Sequence, residues 1–443
     1  MHREILRLAI PNILSNISVP LLSTFDTALM GRLSAEHLGA VGLGSMIFNF
    51  LYWNFGFLRM GSTGLTAQAF GRQDQPGMAN TLGRALAVGW VLAALLLLLQ
   101  TPLLAASQQL LEVAPAQQPL VAEYFRIRIL AAPAALGLYA MLGWFFGMQN
   151  AIYPLVLTIV INLANIGLSV FFVRELGWGI RGVAWGTCLA QYIGLATGMI
   201  LLLLRYPWVR SAMQRELVLR WQALRPFLSL NGDIFLRTLC LTLAFAFFYR
   251  ESADDGTLVL AANVILLQYL NWMSYGVDGF AFAAESLVGK YAGAGNRPRL
   301  GRAIRLSFLW GMALAAGYTL VYGLGGTGLL RVFTNQPEVI LAARPYLWWM
   351  IIFPLLATPC YIWDGVYIGL TAARAMRNTM LLAFGGFILL YLLIGRQWGN
   401  HGLWGSLLAF MILRGAVQHW WFARGKVVPP IAQVPAGETG GAA

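Results

Sequence analysis

The chain has 443 residues, of which 59% are hydrophobic and 11% charged, with 48 glycines. A soluble globular domain averages about 45–50% apolar and about 25% charged residues. This composition, with a mean hydropathy of +0.67, excludes a soluble enzyme, a nucleic-acid-binding domain and a disordered chain, and leaves a polytopic membrane protein. The net charge of +13 does not restore nucleic acid as a partner, because the basic residues sit in short loops between apolar runs and no helix-turn-helix, RNP-type or zinc pattern is present.

Twelve apolar runs are long enough to cross about 30 Å of hydrocarbon. They fall near 8–30, 41–70, 82–106, 120–146, 150–173, 182–204, 228–249, 258–289, 303–327, 342–370, 378–395 and 402–423. None alternates with period two, so they read as helices rather than barrel strands. The first run is too long for a cleavable signal peptide. With the N-terminus inside, 18 Lys and Arg residues fall in cytoplasmic segments, 7 outside and 5 well within spans. The positive-inside rule then places both termini in the cytoplasm. The basic segment 205–227 becomes a cytoplasmic loop between two halves, and the Pro-, Gly- and Ala-rich tail 427–443 reads as disordered. Cys188, Cys240 and Cys360 lie inside apolar runs and read as small buried hydrophobes.

The chain matches itself without gaps at an offset of 222 residues. Leu65-x5-Gly71 lies on Leu287-x5-Gly293, Pro76 on Pro298, Tyr124 on Tyr346, and Gly143-x3-Gly147 on Gly365-x3-Gly369. Each half therefore holds six helices in the same orientation: an N-lobe over 1–204 and a C-lobe over 228–426, related about an axis along the membrane normal. The expected fold is all-α, twelve transmembrane helices in two parallel six-helix lobes.

The repeat makes the intramembrane acids stand out. Asp26 falls on Phe248, Asp233 on Pro11, Asp278 on Gly56, Glu285 on Thr63 and Asp364 on Leu142. An ionised side chain at a helix centre costs about 2.5–3.5 kcal/mol on the insertion scale, so each needs a reason. Asp26 has no basic residue within one turn, which suits a carboxylate that takes and releases a proton. Its helix carries Pro11 and Pro20, each of which removes a backbone donor and favours a kink. Asn165, Ser169 and Thr187 could complete a polar site around Asp26, or simply bond between helices. Asp233 has Arg237 four residues on and reads as a structural ion pair. Asp278 and Glu285, seven apart, share a helix face, and with Asp233 they are expected to join Asp364 in a C-lobe cation or substrate site. Asp364 sits among Tyr361, Trp363 and Tyr367, a pattern suited to a lipophilic cation. There is no Walker A motif and no nucleophile–histidine constellation, so neither ATP drive nor enzymatic hydrolysis is expected.

Asp26-Thr-Ala-Leu-Met-Gly31, Phe57-Leu-Arg-Met-Gly-Ser-Thr-Gly-Leu-Thr-Ala-Gln-Ala-Phe-Gly71, Asp233-Ile-Phe-Leu-Arg237, Val277-Asp-Gly-Phe-Ala-Phe-Ala-Ala-Glu285 and Trp363-Asp-Gly-Val-Tyr-Ile-Gly369 together resemble the multidrug and toxic compound extrusion (MATE) family, most closely its DNA-damage-inducible F branch. The resemblance implies a cofactor-free, monomeric inner-membrane antiporter that exports organic cations or amphiphiles. It also implies coupling roles for Pro11 and Asp26. The family's fifth-helix Asn-x-x-Leu-Asp ends here in Ser169. Loss of that second N-lobe carboxylate disfavours a Na⁺ site and favours H⁺. Na⁺ coupling, or a lipid-precursor flippase of the same superfamily, is the alternative.

Overall fold

The computed structural model describes residues 1–30 and 35–427, with side chains except those of 19–30, 35, 36 and 215. The Asp26 and Pro20 side chains, and the tail from 428, lie outside the described residues. In chain order the helices are α1 (His2–Met30), α2 (Ala35–Asn54), α3 (Phe57–Gly71), α4 (Gln75–Leu98), α5 (Gln100–Leu110), α6 (Gln118–Arg128), α7 (Ala132–Gly147), α8 (Ile152–Val170) and α9 (Ile180–Arg205). There follow α10 (Trp208–Ala212), α11 (Arg215–Val218), α12 (Trp221–Asp254), α13 (Thr257–Gly293), α14 (Arg297–Phe333), α15 (Pro337–Ala343), α16 (Leu347–Gly369), α17 (Ala373–Leu393) and α18 (Gly399–Ala423). No strand occurs among the described residues.

Ten of these helical runs, with short breaks bridged, are long and apolar enough to cross a membrane. The first and twelfth anticipated spans are also long helices, of 29 and 25 residues. Most helices outrun their apolar stretch, because backbone hydrogen bonding continues past the hydrocarbon edge. Thus α12 starts at Trp221, inside the segment read as a loop, and carries Pro226 in its first turns. The same segment also holds α10 and α11. Helix α1 runs unbroken through Pro11.

The 222-residue repeat is written into the backbone. Asp74 and Asn296 cap α4 and α14 by accepting from Gly77 N at 2.8 Å and Arg299 N at 3.0 Å. Each cap satisfies an orphan donor, and a proline follows where no donor is needed. Gln149 and Thr371, again 222 apart, both adopt positive φ, at 61° and 54°. In the N-lobe, Gly143 lies against the Arg59 carbonyl and Gly147 against that of Thr63. In the C-lobe, Gly365 lies against the Ala281 carbonyl and Gly369 against that of Glu285. These are the same contacts in the two halves, α3 on α7 and α13 on α16. A left-handed glycine precedes the sixth span at Gly179 and the twelfth at Gly399. That spacing is 220, so two residues drop out of the register before the last helix.

The lobes meet where α3 crosses α13. Gly71 lies against the Lys290 carbonyl and Gly293 against that of Gln68, and Gln68 and Lys290 are themselves repeat partners. Each glycine thus seats the other lobe's backbone three residues before its own counterpart, the close approach that small residues permit between membrane helices. Around this crossing Gln68 Nε2 donates to Gly369 O (3.0 Å) and Thr371 Oγ1 (3.1 Å), and Gln149 Nε2 donates to Ser286 O (2.8 Å). The arginine-rich end of the molecule is closed by these contacts. A side chain at Gly293 has no room, since the obstacle is backbone. Gly293→Ile should therefore pry α3 from α13. Spin labels at the exposed Gln73 and Arg297 should then report a longer separation than in the unsubstituted protein; an unchanged distance would show that this crossing does not hold the end shut.

Helix α1 links the lobes. It packs on α8 in one and on α13 and α14 in the other. Asn16 Nδ2 donates to Tyr275 O at 3.1 Å. At the N-terminus Tyr291 Oη donates to Glu4 at 3.1 Å, and Lys290 lies 3.5 Å from the same carboxylate.

Candidate functional site

The charged residues expected inside the membrane are present, but most of their partners are not those the sequence suggests. Asp364, on α16, is 7% exposed. Its carboxylate accepts from Arg237 of α12, from Arg414 Nη2 of α18 at 2.6 Å, and from Gln418 Nε2 of α18 at 2.7 Å. Arg414 and Gln418 are four apart and point from one face of α18. The sequence pattern puts aromatic rings suited to a lipophilic cation around Asp364; the structure adds two guanidinium partners that the pattern does not indicate. Two guanidinium groups already neutralise it: Arg414 comes from α18, which packs on α16, Arg237 reaches in from α12, and both are as buried as the acid. The aromatics have other work. Tyr367 Oη donates to Gln418 O at 2.7 Å. Trp363 packs on Phe308, Tyr367, His419 and Phe422. Tyr361 is half-buried.

Asp233 does not pair with Arg237. It accepts from Arg377 of α17. An (i, i+4) pair is worth only about 0.2–0.5 kcal/mol on a helix surface. Arg237 turns instead to the more buried Asp364, where an unmatched guanidinium would cost far more. Glu285, 1% exposed, faces Arg59 of α3 at 3.5 Å. Arg59 also stacks over Phe282, 4.1 Å from the ring centroid. This is a charge pair between lobes. Asp278, two turns before Glu285, is half-buried and makes no ion pair or hydrogen bond among the described residues. It feels the charges of Arg59, Arg237, Asp364 and Arg414.

In the N-lobe, Asn165 Nδ2 donates to Thr187 Oγ1 at 2.9 Å, and Thr187 donates to Val183 O at 2.9 Å. Ser169 is fully buried against Gly186 with its hydroxyl unpartnered. These three residues therefore cluster on α8 and α9, the pair that α1 packs against on its α8 side. The side chain of Asp26, on α1, lies outside the described residues. Pro11 is half-buried on the same helix.

Arg377, Arg414 and Gln418 were not singled out from sequence. For Arg414 a signal existed: an arginine placed within a span must find an anion or an aromatic face, and the acids within spans are few.

A two-lobe helical bundle, with paired charges buried between helices and the lobes joined at the α3–α13 crossing and through α1, defines a membrane transport protein. The chain belongs to the MatE family, whose pattern matches twice, at residues 11–171 and 234–394. It is 36% identical to the DNA damage-inducible protein F of Escherichia coli, over 94% of this chain and 93% of that protein. It is 24% identical to the probable multidrug resistance protein NorM of Chromobacterium violaceum, over 95% and 93% of the respective lengths. In fold it is similar to a multidrug resistance MATE family transporter in an outward-facing conformation, with a TM-score of 0.87 over 97% of both chains at 18% identity.

Proposed function

We propose that the protein is a proton-coupled antiporter that exports cationic or amphipathic organic compounds, working as a monomer in the plasma membrane with both termini in the cytoplasm. The observation that carries the reading is charge balance. Arg59, Arg237, Arg377 and Arg414 face Asp233, Asp278, Glu285 and Asp364, and Asp364 takes two of the four. Asp278 is thereby left without a guanidinium. An arriving proton or organic cation meets one carboxylate that it does not have to prise from an arginine.

The cytoplasmic placement of the termini is supported by the 18-to-7 distribution of Lys and Arg. Proton rather than Na⁺ coupling is supported by the neutral N-lobe cluster, in which Asn165 and Thr187 are bonded to each other and position 169 is a serine. A small cation gains most from two anionic oxygens, whereas a proton needs a single carboxylate. Multidrug resistance is what the name of the NorM relative describes, and the reading extends it to this chain, with efflux as the means.

The test is efflux of ethidium from proteoliposomes containing the purified protein. An imposed pH gradient should accelerate efflux at constant Na⁺, and a Na⁺ gradient at constant pH should not. The opposite pattern overturns proton coupling; no response to either gradient overturns antiport.

A further inference from the structure

The N-lobe contains a buried cation that the charge balance above does not use. Arg128 ends α6, where the fourth span breaks before continuing as α7. It is 9% exposed, and no acid among the described residues pairs with it. Its guanidinium carbon lies 5.3 Å from the ring centroid of Phe48 and 5.6 Å from that of Tyr52. Aromatic faces offset part of the cost of a buried guanidinium, but they accept no directed hydrogen bond in its plane. Nη1 of Arg128 and the hydroxyl of Tyr52 are both buried without a hydrogen-bond partner among the described residues. Tyr139 and Cys188 complete the part of the lobe that Arg128 influences electrostatically. A guanidinium donor and a hydroxyl are thus both buried in this part of the lobe with no hydrogen-bond partner among the described residues. Buried polar groups are otherwise satisfied in native proteins, and an exception calls for an explanation.

The repeat removes the simplest structural explanation. The position equivalent to Arg128 in the C-lobe is Met350, which is 1% exposed and packs as an ordinary hydrophobe. The scaffold at this point is therefore filled adequately by an uncharged side chain of similar length. The guanidinium adds charge and a planar fork of donors, the chemistry that recognises a carboxylate or sulfonate. The aromatic rings of Phe48 and Tyr52 add apolar area next to it.

We propose that Arg128, with Tyr52, forms an anion subsite in the N-lobe that takes the carboxylate or sulfonate of an organic amphiphile. The inference rests on the transport reading and deepens it. The substrate range then includes anionic and zwitterionic amphiphiles as well as cations, with the negative group received in the N-lobe and the positive group in the C-lobe.

Equilibrium binding to the protein in nanodiscs, without any gradient, tests this independently of coupling. Dansylglycine and dansylcadaverine carry the same fluorophore with opposite charge. The unsubstituted protein should bind both saturably. Arg128→Met, the residue the C-lobe uses at this position, should weaken dansylglycine at least tenfold and leave dansylcadaverine within about twofold, while Arg128→Lys should retain measurable dansylglycine binding. Absence of saturable dansylglycine binding in the unsubstituted protein overturns the proposal. So does an Arg128→Met variant that binds dansylglycine normally, or one that loses both dyes equally. Failure of pH-driven efflux with these binding results intact would count against proton coupling and not against the subsite.

Discussion

Asp364→Asn should destabilise the protein by about 3–5 kcal/mol, the cost of breaking a buried pair and leaving the cation uncompensated. The carboxylate ties α12 and α18 to α16 through Arg237, Arg414 and Gln418. Arg414 is 2% exposed and Arg237 7%, so solvent cannot replace the lost charge. An amide at 364 keeps the shape and one acceptor but leaves two guanidinium groups facing a neutral group. Melting followed by size-exclusion chromatography in detergent should show a markedly lower midpoint for the variant. The double variant Asp364→Asn with Arg414→Met should recover part of the loss, because one uncompensated cation is removed. If Asp364→Asn melts normally and loses only the binding of organic cations, the carboxylate is a substrate ligand and the structural role is wrong.

The architecture was legible because it is repetitive. Twelve apolar runs set the helices. The matched glycines at 71 and 293, 143 and 365, and 147 and 369 set the halves, and each of them proves to be a place where backbone meets backbone. A glycine needed for close approach leaves a mark in sequence that a leucine in the same helix does not. The site was less legible for a physical reason. Periodicity reports which face of a helix a residue occupies, not which helix it faces. Asp233 and Arg237 share a face and so looked like partners. Their actual partners are Arg377, 144 residues from Asp233, and Asp364, 127 residues from Arg237. Contacts of that separation are decided by tertiary packing, and no local pattern encodes them. Acids and arginines placed within spans had to neutralise one another, and that constraint alone would have enlarged the list of site residues to include Arg59, Arg237 and Arg414. It would also have left Arg126 and Arg128 over, of which Arg128 alone is buried.

Asp26→Asn should abolish pH-driven efflux while leaving the binding of ethidium measurable, and Asp278→Asn should do the converse, weakening ethidium binding while a proton gradient still acts on Asp26. The reasoning begins with α1. It carries Asp26 and Pro11 and touches both lobes, through α8 on one side and α13 and α14 on the other. Protonation of Asp26 removes the cost of an anion within a membrane-spanning helix and so favours a repacked helix. A shift of α1 then reaches the C-lobe through Asn16, whose amide holds the Tyr275 carbonyl three residues before Asp278. The mechanism requires two states that differ in the lobe surfaces α1 covers, so that a proton on Asp26 biases the equilibrium between them. The driving force suffices. A charge falling through the membrane potential releases roughly 2.3 kcal/mol per 100 mV. At about 1.4 kcal/mol per tenfold, that sustains about 50-fold accumulation of a neutral compound per proton. Export of a monovalent cation against one proton moves no net charge, so for ethidium only the pH gradient counts. An Asp26→Asn variant that exports ethidium at the unsubstituted rate under a pH gradient would falsify this mechanism. Loss of ethidium binding in that variant would instead place Asp26 in the substrate site and require the proton to enter elsewhere.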